Sequence, residues 1–189
     1  DNIDNALKWT PIGNAANPYQ GTFDGGAHNI DSLYSRVDGM YAGFFGLVDS
    51  ATINNTTTQS GNVYGVDRLG GLIGAVQGNT LVENCHNAID VTTIKSSGTS
   101  CNTGGLIGAT IGGNTVTLTI KQCSNRGNVR GYREAGGILG HANTNSGGKV
   151  IVENCWNLGD MTQVGTEYNT YGYAGIVGVV SNIGISISN

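Results

Sequence analysis

Positive charge is scarce in this chain. Nine Lys plus Arg stand against 13 Asp plus Glu, giving a formal net charge of −4 over 189 residues, of which only 12% are charged. A surface that tracks phosphates needs a concentrated basic stripe, so the composition argues against nucleic acid as a partner. Long apolar runs are missing as well. A membrane-crossing helix needs roughly 18 to 20 apolar residues in succession, far more than any stretch here offers, so no membrane insertion is expected. The chain opens at Asp1-Asn-Ile-Asp with neither a basic segment nor an apolar one behind it, so any export signal is expected to have been removed. Helical periodicity is absent, and 32 glycines together with abundant Thr, Asn and Ser work against helices. The glycines do not fall at every third position, which excludes collagen.

Catalytic signatures are missing too. No His-Glu-x-x-His, Gly-x-Ser-x-Gly or phosphate loop occurs, and His28, His86 and His141 occupy unrelated kinds of position. A glycoside hydrolase would need two or three carboxylates converging on one groove, whereas Asp24, Asp38, Asp49 and Asp67 scatter along expected loops. No catalytic residue, metal ligand or cofactor is therefore assigned, and the expectation is that the chain is not an enzyme.

What is present is a repeat. A five-residue cassette recurs as Ala42-Gly-Phe-Phe-Gly46, Gly70-Gly-Leu-Ile-Gly74, Gly104-Gly-Leu-Ile-Gly108, Gly136-Gly-Ile-Leu-Gly140 and Ala174-Gly-Ile-Val-Gly178. A second landmark closes each unit at Val63, Val91, Val129 and Met161. From the second cassette glycine to the closing residue the count is 20, 20, 24 and 24; from the closing residue to the next such glycine it is 8, 14, 8 and 14. Length varies at two places only, which marks those places as loops. Between the landmarks lies an alternating run: Thr80-Leu-Val-Glu-Asn-Cys-His-Asn87, Leu118-Thr-Ile-Lys-Gln-Cys-Ser-Asn125 and Val150-Ile-Val-Glu-Asn-Cys-Trp-Asn157. Each unit thus offers three short strands bounded by Gly or Asn. Units that cannot bury their own apolar faces must stack, so the pattern predicts an all-β, right-handed parallel β-helix of about five rungs. Residues 1–25 differ from the repeats and are expected to cap the coil with Trp9, Ile12, Tyr19 and Phe23; residues 26–189 form the solenoid. The final Ile185-Ser-Ile-Ser reads as a fresh strand with no closing segment behind it, so the array is expected to be cut there and to associate end to end through 184–189.

Stacking makes residue-level predictions. Aligned on cysteine, Thr57, Cys85, Cys123 and Cys155 form one column and Gln59, Asn87, Asn125 and Asn157 another, with rungs about 4.8 Å apart. The thiols are expected to be free and buried, and the amides to pass hydrogen bonds from rung to rung. Three cysteines spaced 38 and 32 residues apart lack the close pairing of a zinc site. Cys101 matches no rung. Asn55, Glu83, Lys121 and Glu153 are expected to form an outward column suited to cross-rung ion pairs, which requires a bend before the inward cysteine. Asn62, Asp90, Asn128 and Asp160 alternate amide and carboxylate, and the two aspartates should lie two rungs apart, too far to share a calcium ion.

Trp9-Thr-Pro-Ile-Gly13, Tyr19-Gln-Gly-Thr-Phe-Asp-Gly-Gly-Ala-His-Asn-Ile-Asp-Ser-Leu33 and Tyr41-Ala-Gly-Phe-Phe-Gly46 resemble the opening of the GLUG-motif β-solenoids of bacterial surface proteins, with Gly105-Leu-Ile-Gly108 and its sisters as the motif itself. The resemblance covers nearly the whole chain. It implies a secreted or cell-surface bacterial protein, adhesin-like, or the non-catalytic amino-terminal part of an immunoglobulin A-specific metallopeptidase. No catalytic residue carries over.

Recognition remains for the linkers. Thr92 to Thr103 and Thr162 to Tyr173 are the long ones, in alternate units, so both should bulge from one edge about 10 Å apart. Tyr132, Glu167, Tyr168, Tyr171 and Tyr173 gather at that edge as candidate binding residues for a host glycan or host surface protein, since exposed tyrosine combines a flat apolar ring with a polar tip.

Overall fold

The computed structural model describes residues 8–95, 101–112, 116–143, 147–165 and 172–189. Every described strand pairs in parallel with its counterpart one coil away, and the chain winds as a β-solenoid of about five turns. Four sheets run the length of the stack. The run before each cysteine builds one of six strands, from Thr22–Asp24 to Gly184–Ser188. A two-residue strand follows each cysteine position, as in His86–Asn87 and Ser124–Asn125. A broad sheet then carries the closing segment and the approach to the cassette: it is continuous in Gly61–Gly70 but split in the next coil into Asp90–Thr93 and Asn102–Gly104. The cassette strands, such as Ile73–Gln77 and Ile107–Thr110, form the fourth. The coils therefore build four sheets rather than the three expected from the three-strand unit, because the turn after cysteine is itself extended enough to pair.

The corners explain the sequence. Between Glu83 and Cys85, Asn84 adopts φ +51°, and Asn55, Gln122 and Asn154 take the same left-handed conformation in neighbouring coils. That bend turns the strand phase, so Glu83 is half-exposed while Cys85 is buried. Asn and Gln tolerate this region at low cost. At the cassette the chain turns again, and both Leu72 and Ile73 point into the core, as do Leu106 and Ile107 in the next coil and Ile138 and Leu139 above that. Val63, Val91 and Val129 stack beneath the broad sheet, all fully buried.

Counting from the cassette mispairs the first coil by one residue. Thr57 pairs with His86 and Thr58 with Asn87, so the neighbour of Cys85 is Thr56 rather than Thr57, and Thr58 rather than Gln59 continues the asparagine column. Likewise Glu83 pairs with Asn54, and Asn55 sits in the bend column with Asn84. The cause is a pair of compensating one-residue differences. The second coil has an extra residue around Gly78 (Asp49 pairs with Gln77, Thr52 with Leu81), and the first coil has one around Gln59 (Thr58 pairs with Asn87, Asn62 with Asp90). The two landmarks stay in step while everything between them slips.

The amino-terminal segment packs under the first cassette. Trp9 lies parallel to Phe44 at 4.9 Å and its indole N–H donates to the Phe44 carbonyl at 2.9 Å. Ile12 and Tyr19 make single bridges to Phe45 and Val48, and Phe23 meets both phenylalanines. Phe23 already belongs to a coil strand, since Thr22–Asp24 pairs with Thr52–Asn54, so coiling begins a few residues earlier than the expected boundary at 26. At the other end, Gly184–Ser188 pairs with Lys149–Glu153, with Ile185 and Ile187 exposed.

Candidate functional site

The asparagine turn is built the same way in successive coils. Asn87, Asn125 and Asn157 each donate from Nδ2 to the carbonyl two residues on (Ile89, Gly127, Gly159) at 2.8 to 3.0 Å, closing a local turn. Each amide also joins its neighbours: Asn87 donates to Asn125 Oδ1, and Asn125 to Asn157 Oδ1, both at 2.7 Å, while the Thr58 hydroxyl donates to Asn87 Oδ1 at 2.6 Å. The amides occupy the space left by the second glycine of the cassette. A Cβ on Gly71, Gly105 or Gly137 would lie 2.1 to 2.4 Å from atoms of Asn87, Asn125 or Asn157 respectively. The two repeated motifs are thus two sides of one contact.

The cysteine column is structural. Cys85 and Cys123 are buried, Cys155 half-buried, and all are free thiols. Each donates to the carbonyl two residues back (Glu83, Lys121, Glu153) at 3.0 to 3.3 Å, which caps the bend. Burial pushes the Cys123 thiol well up, so it stays protonated. On the outside, Lys121 Nζ lies 3.6 Å from Glu153 Oε2, an exposed pair of small energetic weight. Asn128 N donates to Asp90 Oδ1 and Asp160 N to Asn128 Oδ1, so the mixed column caps itself with the aspartates two rungs apart. Among the described residues no group of three or more His, Cys, Asp or Glu is arranged to hold a metal ion.

At the linker edge the register supports a shared origin for the two long loops. Thr92 and Thr162 align through Arg130, and Thr103 and Tyr173 through Ala135, so both linkers leave and rejoin the coil at the same two columns, two rungs apart. The proposed tyrosines fare unevenly. Tyr132 is buried at 1% exposure, which overturns its expected place on the surface. Tyr173 is half-buried and donates its hydroxyl to the Gly131 carbonyl at 2.9 Å; burial pushes its pKa up to about 12. Glu167, Tyr168 and Tyr171 lie outside the described residues. Cys101, which matched no rung, is buried at the linker's return and donates to Thr93 Oγ1 at 3.2 Å, tying the two feet of the loop together; burial raises its pKa.

Beside these feet lies a polar cluster that the sequence did not announce. Asp67, Asn102 and Glu134 are each less than a tenth exposed. Asn102 N donates to Asp67 Oδ1 at 2.9 Å, and its side-chain amide donates to Glu134 Oε2. Glu134 Oε2 is 2.9 Å from His141 Nδ1, and His141 Nε2 is 3.1 Å from Ser181 Oγ. A carboxylate on Nδ1 fixes the tautomer with the proton on that nitrogen, which leaves Nε2 to accept from the serine hydroxyl. One signal was visible: His141 interrupts a column of Leu47, Ala75, Ala109 and Val179. A lone imidazole in an aliphatic column needs a polar partner, and Glu134 supplies it from the neighbouring sheet.

No family model matches this chain, and no solved structure matches it. Over 72 residues, 38% of this chain, it is 32% identical to a protein of Evansella cellulosilytica described as "Putative Gly-rich membrane protein". The matched segment spans 8% of that protein's length.

Proposed function

We propose that this chain is a non-catalytic repeat segment of a secreted or cell-surface bacterial protein, adhesin-like, that displays its linker edge for attachment to a host glycan or surface protein. The observation that carries the reading is the common origin of the two long linkers, at the same two columns and two rungs apart. The stacked coils hold the feet of both long linkers in the same columns, which is how a rigid scaffold positions variable loops for contact. The likeness of one segment to a protein described as a Gly-rich membrane protein agrees with display at the cell boundary. The resemblance to GLUG-motif arrays points the same way.

The test is binding of the purified chain to an array of mucin-type and host glycans, beside a folded variant carrying Tyr168→Ala and Tyr171→Ala. Binding that the variant loses supports the linker edge; absence of binding by either protein removes the glycan half of the proposal.

A second reading rests on one observation, the Glu134–His141–Ser181 chain, whose order of groups is that of a base-activated serine nucleophile. It is tested with a fluorophosphonate probe: labelling of Ser181 that His141→Ala abolishes would make the segment a hydrolase, and unlabelled protein assigns the chain to structure.

A further inference from the structure

The two-residue strands after the cysteine positions have an inner and an outer side chain. The inner ones, Thr58, Asn87, Asn125 and Asn157, carry the hydrogen-bonded ladder. The outer ones read Asn29, Thr57, His86, Ser124 and Trp156 in register across five rungs. With Gln59 and Arg126 from the adjoining turns they line an open groove of about 400 Å³. Trp156 is 42% exposed at one end. Its ring lies 6.1 Å from that of His86, inclined at 41°, and His86 Nδ1 is 2.8 Å from the Ser124 hydroxyl between them. The face is thus a row of aromatic and hydrogen-bonding groups along the solenoid axis.

We infer that this groove binds an extended, carboxylate-bearing oligosaccharide, laid along the stack with a ring on Trp156 and its acid group toward Arg126 and His86. The inference rests on the surface-display reading for its setting but places the ligand on a different face from the linker edge. Three features on the groove select the ligand. A peptide that added itself as a strand would need an unpaired sheet edge, and the backbone here is already hydrogen-bonded to the coils on either side. An exposed indole flanked by hydroxyl, amide and imidazole groups matches a ring with an apolar face and a hydroxylated rim. Among the described residues no acidic one lines the groove although the chain carries a net charge of −4, so Arg126 gives it a local positive field that suits an anion. The lowered pKa of His86, caused by burial and then by Arg126, is in keeping with that field. Rungs recur about every 4.8 Å, so an extended chain laid along the stack meets one rung after another.

The experiment is calorimetric titration of the whole chain with tetragalacturonate and with its neutral counterpart galactotetraose, on the wild type, Trp156→Ala, Trp156→Phe, Arg126→Gln and the Tyr168→Ala/Tyr171→Ala variant, with thermal melts confirming that each is folded. The acidic sugar should bind the wild type and weaken with salt. Trp156→Ala should lose about tenfold while Trp156→Phe keeps most of the affinity. Arg126→Gln should lose about tenfold for the acidic sugar and little for the neutral one. No binding of tetragalacturonate, equal binding of both sugars, or binding that Trp156→Ala leaves intact would each overturn the groove. Loss in the tyrosine variant with Trp156→Ala unaffected would overturn the groove and uphold the linker edge. Loss in Trp156→Ala with the tyrosine variant unaffected would uphold the groove and move the binding surface of the display reading to this face.

Discussion

The asparagine turn and the linker edge are built on opposite plans. In the turn the same side chain returns coil after coil, and its partners are its own copies and the backbone beside it. At the linker edge the stacked positions read Tyr41, Arg68, Asn102 and Glu134, a different residue in each coil. Each finds an individual partner: Arg68 donates to the Tyr41 hydroxyl at 3.0 Å, Asn102 joins Asp67 to Glu134, and Glu134 meets His141. Repetition therefore marks what holds the coil together, and the breaks in repetition mark what is particular to one place. The outer groove shares this second character, since His86, Ser124 and Trp156 stand on inner residues that scarcely change.

Substitutions can break this contrast at several strengths. The largest effect is expected for Gly105→Ala, whose Cβ would lie 2.2 Å from the Gly137 carbonyl oxygen and 2.4 Å from Asn125 Cγ. A loss of about 4 kcal/mol in urea unfolding, or failure to fold, is expected, because the backbone of two coils and the ladder must all shift. Gly175→Ala is its control: nothing stands within 4 Å of a Cβ there, so stability should change by less than about 0.5 kcal/mol. Equal effects of the two would show that the cassette glycine is not kept small by the ladder.

Asn125→Ala comes next. It removes donors to Gly127 O and Asn157 Oδ1 and leaves the buried Asn87 amide without one of its two acceptors, at a cost of about 3 kcal/mol in the same measurement. His141→Ala should cost less, about 1 to 2 kcal/mol, because Glu134 keeps its bond from Asn102 and Ser181 is half-exposed. A larger loss than that of Asn125→Ala would reverse the ranking of repeat over individual contact.

The smallest effect is a pH dependence. Tyr173 has a folded pKa of about 12 against an ordinary value near 10, so the folded state holds its proton more tightly than the unfolded chain. Its contribution is fully present below about pH 10 and is lost as pH rises toward 12. In an ultraviolet titration Tyr173→Phe should remove a tyrosinate step near pH 12; an unchanged titration curve would detach Tyr173 from its burial against Gly131.

The sequence made the stack legible because its physics is periodic. A glycine that must be small and an asparagine that fills the vacated space recur at fixed spacing, so Gly71 with Asn87 and Gly105 with Asn125 announce themselves. Register in the first coil was not legible, since the extra residue near Gly78 and the one near Gln59 cancel in any count between landmarks. The polar cluster was hidden for another reason. Asp67, Asn102, Glu134 and His141 come from three coils and two sheets, and one residue of each kind leaves no period to detect. Tyr132 misled because a ring within a short polar linker looks exposed in sequence, yet it is buried in the fold.

The asparagine ladder also gives the solenoid a direction. Asn87 and Asn125 each donate toward the later coil, and each of the three amides accepts from the earlier one, beginning with the Thr58 hydroxyl. Aligned bonds polarise one another, so the dipoles add along the axis instead of cancelling. A coil laid on the carboxyl-terminal side of Asn157 would meet an amide able to give, whereas the coil before Thr58 places Ile30 in that column, which takes no part in the chain. Growth and fraying at the two ends are thus inequivalent, and a solenoid held by such a one-way chain should unzip more readily from one end than from the other under load.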